Sequence, residues 1–144
     1  MNAQALAEAC ARAMWAEDRA SAGLGMAITR VAPGEADLTM TVAPSMVNGH
    51  GICHGGFVFT LADSAFAFAC NGFNRRAVAQ CNTITYLRPA MRDDMLTARA
   101  VQTTQAGRSG ITDVTVTDQA GRVIAVFRGL SRIIEGHLVE DAAP

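Results

Sequence analysis

The stretch Asn48–Asn71, NGHGICHGGFVFTLADSAFAFACN, decides how the rest of the chain is read. It begins as a glycine-rich loop, Asn48-Gly49-His50-Gly51-Ile52-Cys53-His54. From Gly55-Gly56 it becomes a nearly unbroken apolar run, Phe57, Val58, Phe59, Leu61, Ala62, Ala65, Phe66, Ala67, Phe68 and Ala69. A helix that is apolar on every side is expected to be buried. One carboxylate, Asp63, stands in the middle of it, and its neighbours one turn away, Phe59, Thr60, Phe66 and Ala67, include no cation. Burying an unpaired carboxylate costs several kcal/mol or forces its pKa upward. A chain that keeps such a group has usually found a use for it.

The start of this helix supplies a complementary feature. Backbone amides in a first helical turn lack intrahelical partners and carry the positive end of the dipole. Gly55 and Gly56 have no side chains to keep a ligand oxygen away from those amides. They form a candidate oxyanion site, and Asp63 is a candidate base or nucleophile. Eight helical residues rise about 12 Å, whereas a reacting atom must lie about 3 Å from both donor and base. One straight helix therefore cannot supply both groups to one site. Two such helices packed antiparallel about a two-fold axis bring Gly55 of one chain near Asp63 of the other, twice. An active site here implies a homodimer with two shared sites.

Working outward, 144 residues with 50% hydrophobic and 17% charged content suit one globular domain with a real core. The net charge of −1 gives no indication of a nucleic-acid surface. All the cations are Arg, a bias we assign to composition, although Arg also suits phosphate recognition. Cys10, Cys53, Cys70 and Cys81 form no C-x-x-C pair and no disulfide framework. No secretory signal is visible, and Thr60, Asp63 and Ser64 make the apolar run a poor membrane span. A cytoplasmic protein without membrane association is expected.

Before the central stretch, Leu6, Ala9, Cys10, Ala13 and Met14 mark an amphipathic helix over Ala3 to Ala20, with Gly23 as its stop signal. Leu24, Met26 and Ile28 predict a strand ending at Pro33-Gly34, and Ala36, Leu38, Met40 and Val42 predict a second. The central helix runs over about 55–72. Four further strands are predicted at Ala77 to Leu87, Met95 to Thr104, Ile111 to Thr117 and Val123 to Ile134, with short turns that favour antiparallel pairing. The tail, Glu135 to Pro144, carries no pattern and is expected to fray. The whole, 1–144, reads as a single α+β domain in which a curved antiparallel sheet covers one long central helix.

That order, with N-G-H-x-x-C-H-G-G ahead of L-A-D-S-A-F-A-x-A-C-N, resembles the hotdog-fold acyl-CoA thioesterases, and more narrowly those of bacterial phenylacetate degradation. The likeness continues through Thr85-Tyr86-Leu87-Arg88-Pro89, Leu96-Thr97-Ala98 and Ala125-Val126-Phe127-Arg128-Gly129. It implies subunits that join their sheets in a homodimer, with pairs stacking into homotetramers. It places the helix carboxylate on Asp63, the polarising amide on Gly55, and the surrounding site residues on Asn48 and His54. Gly56 and Ser64, beside these, are candidate substrate-binding residues; relatives vary between Ser and Thr at the latter. The supporting hydroxyl that some relatives carry on a neighbouring strand has no assignable counterpart in the sequence.

Each residue also has a plainer reading. Asn48-Gly49 is a turn signal in its own right, and His54 has as good a claim to holding the loop as to catalysis. His50-x-x-x-His54 shares a face only on a helix, which Gly49, Gly51 and Gly55 oppose, so no metal is expected. Cys53 next to His54 makes a poor nucleophile pair, because adjacent residues rarely aim at one point. Arg88, Arg108 and Arg128 are candidates for the phosphates of coenzyme A, set against an ordinary surface role. The expected activity is hydrolysis of an acyl-CoA thioester, without a cofactor, phenylacetyl and hydroxyphenylacetyl groups being the class the resemblance implies. The alternatives are a hotdog hydratase or dehydratase, which would want a catalytic His, and a non-catalytic acyl-CoA-binding protein.

Overall fold

The computed structural model describes residues 1–140. Helix α1 spans Ala3–Glu17 and opens on Asn2, whose side chain accepts from the Ala5 amide at 2.8 Å. It stops short of the expected end at Ala20, because Asp18 leaves helical geometry and caps a separate short helix, α2, Arg19–Gly23, through the Ser21 amide. The strand expected from Leu24 starts later, since Leu24 closes α2 by donating to the Ala20 carbonyl. Strand β1, Ala27–Ala32, turns at Pro33-Gly34 into β2, Glu35–Thr41. Gly34 takes φ +73° there, a conformation side chains resist.

Helix α3, Gly55–Cys70, follows the loop, and then come β3, Ala77–Tyr86, β4, Met95–Ala106, β5, Ser109–Thr117, and β6, Val123–Ile133. All adjacent strands pair antiparallel, in the order β1-β2-β4-β5-β6-β3. The chain crosses the sheet through α3, so β3 is laid down at the far edge beside β6. Register shifts interrupt four of the five strand pairs. Such bulges bend a strand and increase its twist, which lets the sheet curl around a helix.

Helix α3 packs against every strand. Leu61, Phe66 and Phe68 meet Leu38, Leu96, Val114, Val116, Ile124 and Phe127 in the core. Phe66 lies directly on the backbone of β6, where a Cβ on Gly129 would stand 2.6 Å from its ring. The helix is not buried all round, as its composition suggests. Thr60, Asp63 and Ala67 are half-buried and Gly56 is exposed, a stripe at spacings of three and four residues that the sheet leaves open.

The beginning of the tail is anchored rather than frayed. Asn74, at φ +60°, accepts from the amides of Leu138 and Val139 at 2.9 Å each and donates to the Val139 carbonyl. Its own carbonyl lies 2.6 Å from His137 Nδ1. The remainder of the expected tail, 141–144, lies outside the described residues.

Candidate active site

The loop before α3 is a set of side chains bonded to backbone. Asn48 Oδ1 accepts from the amides of His50, at 2.9 Å, and Ile52, at 3.3 Å, which closes the turn. Its Nδ2 donates to no protein acceptor among the described residues. Asn48 thus holds the loop with one end of its carboxamide and keeps a donor free at the other. His54 occupies the N-cap of α3, where its Nδ1 accepts from the Gly56 amide at 2.9 Å. A Cβ on Gly56 would stand 3.0 Å from that nitrogen, so the glycine is what lets the ring fold back.

This cap separates the two glycines. The Gly56 amide is engaged by His54, while the Gly55 amide has no protein acceptor among the described residues. Of the two candidate donors it is Gly55 whose hydrogen is uncommitted, at the positive end of a sixteen-residue helix. A cleft of about 450 Å³ opens at this point, lined by Asn48, Gly55, Val58, Tyr86, Arg88 and Ile124 among others. A larger groove of about 540 Å³ between α1 and β1 contains none of these groups.

Asp63 stands two turns further along α3, half-buried, and takes part in no ion pair among the described residues. Its protein partner is Asn82 of β3, whose Nδ2 donates to Asp63 Oδ1 at 3.1 Å. Burial pushes the Asp63 carboxyl above the ordinary carboxylate range, and the Asn82 hydrogen bond offsets this only in part. Asn82 Oδ1 is itself buried without a partner in the chain. Ser64 points elsewhere, its hydroxyl 2.8 Å from that of Ser21, which donates to Asp18 at 2.7 Å.

Of the three candidate arginines, only Arg88 lines the cleft beside Gly55. Arg108 sits with Arg75 and His137 on a separate hollow of about 190 Å³. Arg128 is held by Asp113 through two hydrogen bonds of 2.7 and 2.9 Å. Burial raises the Cys53 thiol and pushes that of Cys70 up to about 12, so neither supplies a ready thiolate. Among the described residues no cluster of His, Cys, Asp or Glu is placed to hold a metal ion.

Two residues escaped sequence reasoning. Asn82 was hidden because a strand Asn has no period or motif, and only the pairing of β3 with β6 turns it toward α3. Tyr86 belongs to a strand motif in the sequence, yet its hydroxyl donates to the Gly55 carbonyl at 2.9 Å.

A helix wrapped by an antiparallel sheet, with an uncommitted amide at its start and a desolvated acid at its middle, is the hotdog architecture of the thioester hydrolases. The chain belongs to the thioesterase superfamily, which residues 50–125 match. It is 42% identical over 132 residues to the acyl-coenzyme A thioesterase PaaI of Escherichia coli K12, covering 92% of this chain and 94% of that protein. The structure of the E. coli PaaI protein from the phenylacetic acid degradation operon superposes with a TM-score of 0.93 at 41% identity, covering 94% and 99% of the two chains. A hypothetical thioesterase of Streptococcus pneumoniae TIGR4, solved with coenzyme A, superposes with a TM-score of 0.75 at 26% identity, covering 78% and 88%.

Proposed function

We propose that the protein hydrolyses acyl-coenzyme A thioesters, phenylacetyl-CoA and its hydroxylated forms foremost, to the free acid and coenzyme A. The observation that carries the reading is the pair of uncommitted groups on α3: the Gly55 amide, and Asp63 with a single amide partner and no cation. Support for the acyl group comes from the relative of the phenylacetic acid degradation operon. Support for coenzyme A comes from the streptococcal relative solved with it.

Gly55 and Asp63 are eight residues apart on one helix, about 12 Å by helical rise, so each site takes its amide from one subunit and its acid from the other. The open stripe of α3 and the edge strand β3, with Val78 and Tyr86 each about half exposed, support a dimer built on that side. Pairs of dimers then form a homotetramer. The thioester carbonyl oxygen accepts from the Gly55 amide, and the Asn48 Nδ2 donor orients the carbonyl or the water. Asp63 either takes a proton from the attacking water or attacks the carbonyl itself to form a mixed anhydride. In both routes the carbonyl π pair moves to oxygen and returns as the C–S bond breaks and coenzyme A leaves as its thiolate, which takes up a proton; in the second route water then hydrolyses the anhydride to the free acid and regenerates Asp63. Arg88 meets the polar end of coenzyme A, His54 fixes the loop, and Gly56 supports that cap. Ser64 braces α3 against α2, and Arg108 and Arg128 stand outside the cleft. We place the enzyme in the cytoplasm, with no cofactor; Cys53, Cys70 and Cys81 form no disulfide among the described residues, which supports a reducing compartment. A hydratase mechanism is disfavoured, since it would want His54 as a base, and the Gly56 amide takes the Nδ1 lone pair, which leaves Nε2 as the protonated nitrogen of the neutral ring.

Thiol release from phenylacetyl-CoA and a panel of aliphatic acyl-CoAs, with wild type and Asp63→Asn, tests the activity. Fastest turnover of the aryl-acetyl group is expected, and unchanged turnover in Asp63→Asn sinks the mechanism. Mixing Asp63→Asn with Gly55→Ala, whose added Cβ meets the Tyr86 ring at 3.0 Å, tests the sharing. Randomly exchanged dimers regain about a quarter of wild-type activity if each site draws on both subunits, and none if each subunit holds a whole site.

A further inference from the structure

We propose that Tyr86 is a positioning residue for the oxyanion amide, acting by clamping the first peptide of α3 to the rigid sheet. The inference rests on the thioester-hydrolysing role of the same cleft.

The peptide between Gly55 and Gly56 is held at both ends. Its carbonyl oxygen accepts from the Tyr86 hydroxyl at 2.9 Å, and its amide donates to His54 Nδ1 at 2.9 Å. The amide on the other side of the Gly55 Cα is the uncommitted one. With the following peptide pinned, that N–H has little freedom to swing. The Tyr86 ring adds a steric stop, since a Cβ on Gly55 would lie 3.0 Å from Cζ and 3.1 Å from the hydroxyl oxygen.

The clamp reaches a distant and stiff part of the fold. Tyr86 is the last residue of β3 and pairs with Ala125 of β6, and the next two amides, of Leu87 and Arg88, both donate to the Ile124 carbonyl at 2.8 and 3.2 Å. Ile124 and Ala125 are buried. The helix start is thus fixed against the sheet by a residue 31 positions away, where first turns ordinarily fray. A glycine pair at the start of the helix makes that restraint necessary, because glycine itself supplies none. Preorganised donors are effective in catalysis because they need no reorientation as charge develops.

Tyr86→Phe removes the hydroxyl and keeps the ring. With phenylacetyl-CoA as the probe, kcat is expected to fall by roughly fivefold to tenfold, the weight of one hydrogen bond. KM should stay within about twofold and the melting temperature close to wild type. Hydrogen exchange at the Gly56 amide should quicken by a similar factor, because loosening one end of the pinned peptide loosens the other. A kcat within about twofold of wild type overturns the proposal, as does a change confined to KM, which would make Tyr86 a substrate contact. An unchanged Gly56 exchange rate overturns it equally. If wild type releases no thiol from any acyl-CoA, the proposed function fails, and the Gly56 exchange comparison still decides the role of Tyr86.

Discussion

Asp118 in the turn between β5 and β6 and Asp63 in the middle of α3 are both withdrawn from water, and the chain treats them in opposite ways. Asp118, with its side chain 1% exposed, accepts from the amides of Ala120 and Arg122 and from the Arg122 guanidinium at 2.8 Å. Burial alone pushes its carboxyl up, yet those donors together hold it below the ordinary carboxylate range. Asp63 receives one neutral amide and no cation, and burial keeps its carboxyl raised. A saturated acid is ordered and inert, whereas an under-saturated one keeps a lone pair and a proton affinity to use. Local partner count, rather than burial, separates the structural acid from the one proposed to do chemistry.

The largest test of this contrast is Asp63→Asn. Turnover should fall by at least about a thousandfold, since the base or nucleophile is gone. Thermal stability at neutral pH should hold or rise, because a desolvated charge is removed. Loss of stability would place Asp63 in the same class as Asp118. The reverse experiment, Asp118→Ala, should lower the melting temperature by about 3–6 °C through loss of the turn's caps. Its kcat at a temperature where it is folded should stay at the wild-type value.

The pH dependence sharpens the comparison further. In the proposed mechanism Asp63 works ionised, so kcat should rise with pH through a midpoint above the usual carboxylate range of about 4. Asn82→Ala removes the donor that favours the charged form, so the midpoint should move up again, with a loss at pH 6 larger than at pH 8. A midpoint that moves down, or does not move, would show that Asn82 does not tune the acid. The two acids also act oppositely on stability. A raised folded-state pKa at Asp63 favours the fold below the unfolded value and loses that contribution as pH rises through the folded one. The lowered pKa of Asp118 contributes above the unfolded value and is lost as pH falls through the folded one. The smallest effect is expected from Arg128→Gln, whose partner Asp113 lies on the exposed sheet surface, with the melting temperature left close to wild type.

Much of the site was legible because its signals are local. Glycines before a helix, and an acid with no cation one turn away, are properties of sequence spacing, and Gly55 and Asp63 carry them without reference to the fold. The choice of Gly55 over Gly56 came from the family resemblance and not from local spacing, since it depends on which amide the His54 ring reaches back to cap. Ser64 reads as a substrate-binding candidate beside Asp63, but successive residues of a helix point in different directions, and that rotation sends its hydroxyl to Ser21 of α2. The arginines were indistinguishable in the sequence, because a cation's role is set by what lies opposite. Asp113 faces Arg128 across the ladder from β5 to β6, while Arg88 follows β3 into the cleft.

The sequence by itself determined the element order, the hydrophobic spacing that makes α3 the axis of the fold, and the unusual carboxylate within it. These follow from periodicity and from the cost of desolvating charge, which are fixed by residues close in the chain. The tertiary structure alone decided that β3 lies at the sheet edge beside β6, and so that Asn82 meets Asp63 and Tyr86 meets Gly55. Contacts across 19 and 31 residues leave no trace in local spacing. They exist only once the crossover through α3 has placed the strand.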